Sequence, residues 1–176
     1  MLIVTTAATV EPVTLTEAKA QLRETGTAND TMIGALITAA REAVELETGR
    51  ALAAAAYRWA STDAMAEVMR LPLWPVATLT AVSYEDADGA RQTMDAADYS
   101  LDADRAQVTL ELPDFGINPS FSFTVSPTNI PVALKQAILL IVADLYANTE
   151  ATSTEILSAN PTVSRLLALN RVNYGV

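Results

Sequence analysis

The chain contains no cysteine and no histidine. Without cysteine there is no disulfide framework and no thiolate metal site. Without histidine the commonest general base and metal ligand is missing, and the many serines and threonines have neither imidazole nor thiolate to pair with. Lysine occurs only as Lys19 and Lys135, and the six glycines form neither a GxGxxG turn nor a phosphate-binding loop. Positive charge is scarce: 11 Lys and Arg stand against 21 Asp and Glu, for a net charge of −10, and no basic run occurs. A surface that grips phosphates needs clustered cations, so nucleic-acid binding of that kind is excluded. An acidic wall would instead repel DNA, which is compatible with a passage that must not retain it. There is also no long hydrophobic run. The most apolar stretch, Val132 to Tyr146, is interrupted by Lys135, Gln136 and Asp144 and is too short to span a bilayer comfortably. The first residues show no cationic segment and no apolar stretch of leader length. These absences describe a soluble protein with no membrane association, no cofactor, no metal and no enzymatic constellation.

At 176 residues, 51% of them hydrophobic, the chain is long enough to bury a core without cross-links. Residues 1–13 read as extended. Thr14 and Glu17 have capping-box spacing and open a short helix with Leu15, Ala18 and Leu22 on its apolar stripe, ended by Gly26. A second helix starts at Asn29-Asp30, where a side-chain oxygen can cap. It carries Ile33, Leu36, Ile37, Ala40 and Val44 on one face and stops at Gly49, with Arg41, Glu42 and Glu45 mostly off that face. Strands follow at 57–61, 66–71, 79–85, 91–94, 99–101, 107–112 and 121–125, the last alternating strictly. Pro72 and Pro75 exclude a helix between the second and third of them. Pro131 suits the first turn of a helix in which Leu134, Ile138, Ile141, Val142 and Leu145 share a face and Leu139 and Leu140 fill more of the girth. A helix this apolar is buried in the centre of the fold or partly between subunits. Residues 147–161 lack periodicity, and a short helix from Thr162 to Asn170 needs something to dock on. Helices, then strands, then helices predict an α+β fold: N-terminal helices, a central antiparallel β meander, a long buried C-terminal helix and a short tail helix. The expected organisation is one domain over 1–146 and a flexible C-terminal segment with a docking helix over 147–176.

Two carboxylate pairs, Asp86 with Asp88 and Asp102 with Asp104, have the look of acid–base dyads. Each lies in a turn, where Asp bonds its own backbone, and the turn role is the better reading. A calcium loop starting at Asp86 lacks its closing ligand. Glu11, Glu45 and Glu47 could form an acidic surface, solvated as helix-face charges usually are. Trp59 and Trp74 read first as core packing. The run Tyr57-Arg58-Trp59 also suits an interface, where Trp, Tyr and Arg concentrate binding energy. Read from composition alone, the chain could equally be an acidic protein-binding module that recruits a cellular partner through Tyr57 and Trp59.

Several segments, in order, resemble the head–tail connector proteins of tailed phages and gene transfer agents. Val13-Thr14-Leu15-Thr16-Glu17-Ala18-Lys19-Ala20-Gln21-Leu22-Arg23 is similar to the family's opening, with Gln21 where His is frequent. Asp30, Ile33, Leu36, Ile37, Ala39-Ala40-Arg41, Val44-Glu45 and Thr48-Gly49-Arg50 follow the pattern of its long helix. Leu71-Pro72 and Pro75-Val76 precede a hairpin, Val82 to Gly89, of the family type. Pro131 to Tyr146 resembles its apolar helix and Leu166 to Arg171 its tail; Thr149 and Asn170 depart from the usual Arg and aromatic. The resemblance implies a non-catalytic adaptor forming a homo-oligomeric, dodecameric ring beneath the portal protein. Such a ring extends the DNA channel and receives the next neck, stopper or tail-completion protein, with DNA passing through the lumen unread. It implies a place in the neck of a virion or phage-like particle assembled in the bacterial cytoplasm. Candidate contacts with other subunits or the portal are Tyr57, Arg58, Trp59, Trp74, Leu140, Leu166, Leu167 and Arg171.

Overall fold

The computed structural model describes residues 1–62, 64–111, 116–148 and 161–172. The fold is α+β, with four α-helices and antiparallel sheets of five and three strands among the described residues. Two compact units share the chain: Met1–Val10 with Ala53–Pro127 forms a sheet unit, and Glu11–Leu52 with Thr128–Asn173 forms a helical unit.

The helical unit begins with α1 (Leu15–Leu22), capped as its spacing predicts. The Thr14 hydroxyl accepts from the Glu17 N–H at 3.2 Å, and the Glu17 carboxylate accepts from the Thr14 N–H at 2.7 Å. The helix stops earlier than expected, at Arg23 rather than Gly26. Arg23 takes the left-handed conformation at φ 58°, and the Glu24 N–H reaches back to the Lys19 carbonyl, closing the helix as a glycine commonly does. Gly26 instead receives the Lys19 ammonium on its carbonyl at 2.6 Å. Helix α2 (Asp30–Thr48) ends at Gly49, φ 66°, as expected. Its start differs from expectation: the Asn29 side chain makes no cap bond and donates to the Tyr146 hydroxyl at 3.0 Å. Helix α3 (Val132–Ala147) presents Leu134, Ala137, Ile138 and Val142 to Val13, Ala18, Ile33, Ile37, Ala40 and Val44. That face alone is fully buried; Val132 is 81% exposed, and Leu139, Leu140 and Ile141 are half-buried. Helix α4 (Pro161–Asn170) sets Leu166 and Leu167 against the same cluster. The connection read over 147–161 falls largely outside the described residues.

The sheet unit contains β1 (Leu2–Thr6), β2 (Ala55–Ala60), β3 (Val68–Arg70), β4 (Val76–Glu85), β5 (Arg91–Thr93), β6 (Tyr99–Asp102), β7 (Gln107–Leu110) and β8 (Ile117–Val125). All pairings are antiparallel, but chain order is not sheet order. The larger sheet runs β1-β2-β8-β4-β5 and the smaller β3-β7-β6. β8 takes the centre, where a strand is covered along both edges, and its Phe121, Phe123 and Val125 are 0–2% exposed. Between them Ser122 and Thr124 satisfy neighbours, with Thr78 and Thr124 hydroxyls 2.7 Å apart and the Thr80 hydroxyl donating to the Ser122 carbonyl.

The carboxylate pairs are turn-makers. Asp86 Oδ1 accepts from the N–H groups of Asp88 and Ala90 at 3.0 and 2.9 Å, with Gly89 at φ 78°. Asp102 Oδ1 accepts from Asp104 and Arg105 in the same manner. The Gln92 side chain and the Ala90 N–H hold the Asp86 carboxyl below the ordinary aspartate value.

Candidate assembly interface

The eight residues singled out in the sequence divide between the two units. Tyr57, Arg58, Trp59 and Trp74 lie in the sheet unit; Leu140, Leu166, Leu167 and Arg171 lie in the helical unit.

On β2 the two-residue period separates the aromatic residues from Arg58. Tyr57 is opposite Phe123 and Trp59 opposite Phe121, and the rings stack at centroid distances of 5.9 and 5.3 Å. Tyr57 is 4% exposed, so its ring belongs to the interior of the sheet unit, which is the packing role rather than the contact role. Trp59 and Trp74 are half-buried and Arg58 is exposed. On the first strand, Leu2 is opposite Trp59 and Val4 opposite Tyr57. The apolar row therefore runs to the margin of the sheet, where Val4 is 46% exposed. Beyond predicting an extended segment over 1–13, the sequence carries a signal for this margin in the uncharged run Leu2-Ile3-Val4-Thr5-Thr6.

In the helical unit, Leu166 and Leu167 pack on the core, whereas Leu140 stands outside that cluster on the outer side of α3. Arg171 pairs with the Glu47 carboxylate, and its Nε donates to the Glu47 carbonyl at 3.1 Å. The Val172 N–H bonds the Thr48 carbonyl at 2.8 Å, so the end of the tail is tied to the end of α2. Exposed Leu46 (81%) and Leu169 (75%) add apolar surface to this unit.

The three glutamates read as an acidic surface each meet an arginine. Arg41 is buried, contrary to its expected place off the packed face. Its Nε donates to Glu11 at 2.8 Å, and a second nitrogen donates to Glu45 at 2.5 Å. Glu45, itself 4% exposed, also accepts from the Leu52 N–H at 2.7 Å. The network joins Glu11 and Leu52, the residues at which the chain enters and leaves the first half of the helical unit. The i,i+4 spacing of Arg41 and Glu45 was its visible sign; the long-range partner, Glu11, had none.

Among the described residues, no helix is long and apolar enough to cross a membrane. The chain belongs to the phage gp6-like head-tail connector protein family, whose sequence profile matches residues 12–164. Solved structures agree. A chain in the neck of an empty gene transfer agent particle, computed with C6 symmetry, is similar at a TM-score of 0.73 and 28% identity, over 98% of this chain and 96% of that one. A chain in the neck of the native particle, computed with C12 symmetry, gives 0.72 and 27% over the same shares. One in the virion of the native particle gives 0.70 and 28%. No curated protein sequence matches.

Proposed function

We propose that this chain is a non-enzymatic adaptor subunit of the neck of a phage-like particle. It forms a ring beneath the portal, extends the DNA channel and receives the next neck or tail component. The observation that carries the reading is the likeness, over 98% of the chain, to a neck structure computed with C12 symmetry. A net charge of −10 suits a lumen through which DNA slides without being held. Residues 147–176 form the portal-docking segment: α4 and the residues after it rest on α2 and α3 through two leucines, one exposed ion pair and the hydrogen bonds of Arg171 and Val172 to the end of α2, a contact that partner binding can replace. Subunits assemble in the bacterial cytoplasm.

The test is to mix the protein with the portal protein encoded beside it and weigh the complex by native mass spectrometry. The expected product is a portal ring carrying about twelve copies, the number matched closed-ring symmetry gives. A chain that stays a lone monomer overturns the adaptor reading. A binding module using Tyr57 and Trp59 would give one-to-one complexes with a cellular protein, and the inward Tyr57 ring does not favour it.

A further inference from the structure

Among the described residues, the two sheets have four edges: β1, β5, β3 and β6. Three have the usual protection against stray pairing, being only three or four residues long and charged, through Arg91, Arg70 and Asp102 respectively. β1 has none. It is five residues long, without charge or proline.

Its backbone phase follows from the hydrogen bonds. Met1 and Ala60 exchange both of theirs, and in an antiparallel pair such residues alternate with ones whose N–H and C=O point away from the partner. Leu2 and Val4 therefore aim both groups at the open side of the sheet, and their side chains end the apolar row described above. The opposite edge can be read in the same way. The Met94 N–H bonds the Val82 carbonyl and the Asp86 N–H bonds the Ala90 carbonyl; with Thr93 opposite Ser83, Arg91 and Thr93 turn their backbone groups outward. All of β5 is exposed. Each successive strand across the sheet reverses direction, so β1 and β5, the first and fifth, run the same way.

A closed ring is built from a contact between two different patches on each subunit, related by a simple rotation. An open sheet with two unlike edges of equal direction supplies such a pair. We propose that β5 of one copy pairs in parallel with the free edge of β1 of the next, so that the five-stranded sheets join around the ring. This rests on the ring-forming reading of the preceding section. In a parallel ladder the outward groups of Arg91 or Thr93 bond the residues flanking Ile3, namely Leu2 and Val4, which sets Gln92 across from Val4 or Leu2.

Because the chain has no cysteine, engineered cysteines report cleanly. The double variants V4C/Q92C and L2C/Q92C, assembled on the portal and oxidised, are expected to give a ladder of cross-linked multimers in one of the two registers. No ladder in either, on rings of full occupancy, overturns the proposal, as does a V4C single variant that cross-links into dimers through β1 alone. A second variant, V4P, removes an outward N–H and no bond to β2. It should keep the wild-type melting temperature yet reduce the copies held per portal ring by at least half; a full ring overturns the proposal. If the unaltered chain fails to bind portal, the adaptor reading falls by itself. The ladder is then sought in the chain alone at high concentration, where its presence supports the edge pairing and its absence overturns it.

Discussion

Arg41 and Arg171 form ion pairs that should differ sharply in worth. The Arg41 side chain is 5% exposed, as is that of its partner Glu45. Arg171 and Glu47 are each 53% exposed. Removing one member of a buried pair strands the other without solvent, at a cost of about 3–5 kcal/mol, whereas an exposed pair contributes under about 1 kcal/mol. Chemical denaturation should accordingly show Arg41→Ala far less stable than wild type and Arg171→Ala nearly unchanged; equal effects would contradict the network described here. The capping box gives a second, pH-dependent contrast. Hydrogen bonds from the Thr14 N–H, and then from its hydroxyl, hold the Glu17 carboxyl below the ordinary glutamate range. A carboxyl depressed in the folded state contributes stability that is complete above its unfolded pKa and is lost as pH falls through the folded one. Thr14→Ala should therefore cost about 1 kcal/mol at neutral pH, and the gap from wild type should narrow as acid titration passes below the usual glutamate range. A gap that stays constant to low pH would show the hydroxyl's bond to the carboxylate to be idle, since the variant keeps the backbone N–H. Thr14 and Glu17 were legible in the sequence because both partners lie within one turn. Arg41 was not, since its burial depends on Glu11, thirty positions away.

At the scale of elements, local signals were readable and pairings were not. The alternation of Phe121, Phe123 and Val125 announces a strand, and Gly49 announces a helix end; both are where they were expected. The central position of β8, by contrast, is decided by competition among all the strands for two covered edges, and no window of sequence contains that competition. The Gly26 stop failed for a related reason: Lys19 could bond the Gly26 carbonyl and Asp30 only if the helix had already ended, and Arg23 accepted the left-handed turn. The tail helix offers a test. α4 is ten residues long, too short to persist alone, and is held chiefly by Leu166 and Leu167. The double variant L166A/L167A should raise amide exchange across Pro161–Asn170 while α2 stays protected, and should alter affinity for the portal. Unchanged exchange in α4 would mean that other contacts hold it, and unchanged portal affinity would remove the docking role proposed for the segment.

At the scale of the whole molecule, the absences in the composition bore most directly on function, because a chain without histidine, cysteine or a basic cluster has few chemistries left to it. The order of segments along the family pattern was legible too. What the sequence did not display was the division of labour: Trp59 and Leu140, both candidate contacts, belong to different units. That division has a consequence for how the protein is made. β1 is made before α1 and α2, but its partner β2 follows only after them, the whole of Glu11–Leu52. α1 and α2 in turn await Leu134, Ala137, Ile138 and Val142 of α3, which emerge after the last strand. The strands are therefore all made before the helical unit is complete: a nascent chain stopped at Pro127 holds every strand and a half-covered pair of helices. Contacts that join distant stretches of chain form slowly, so each unit closes only when segments made far apart in the chain meet.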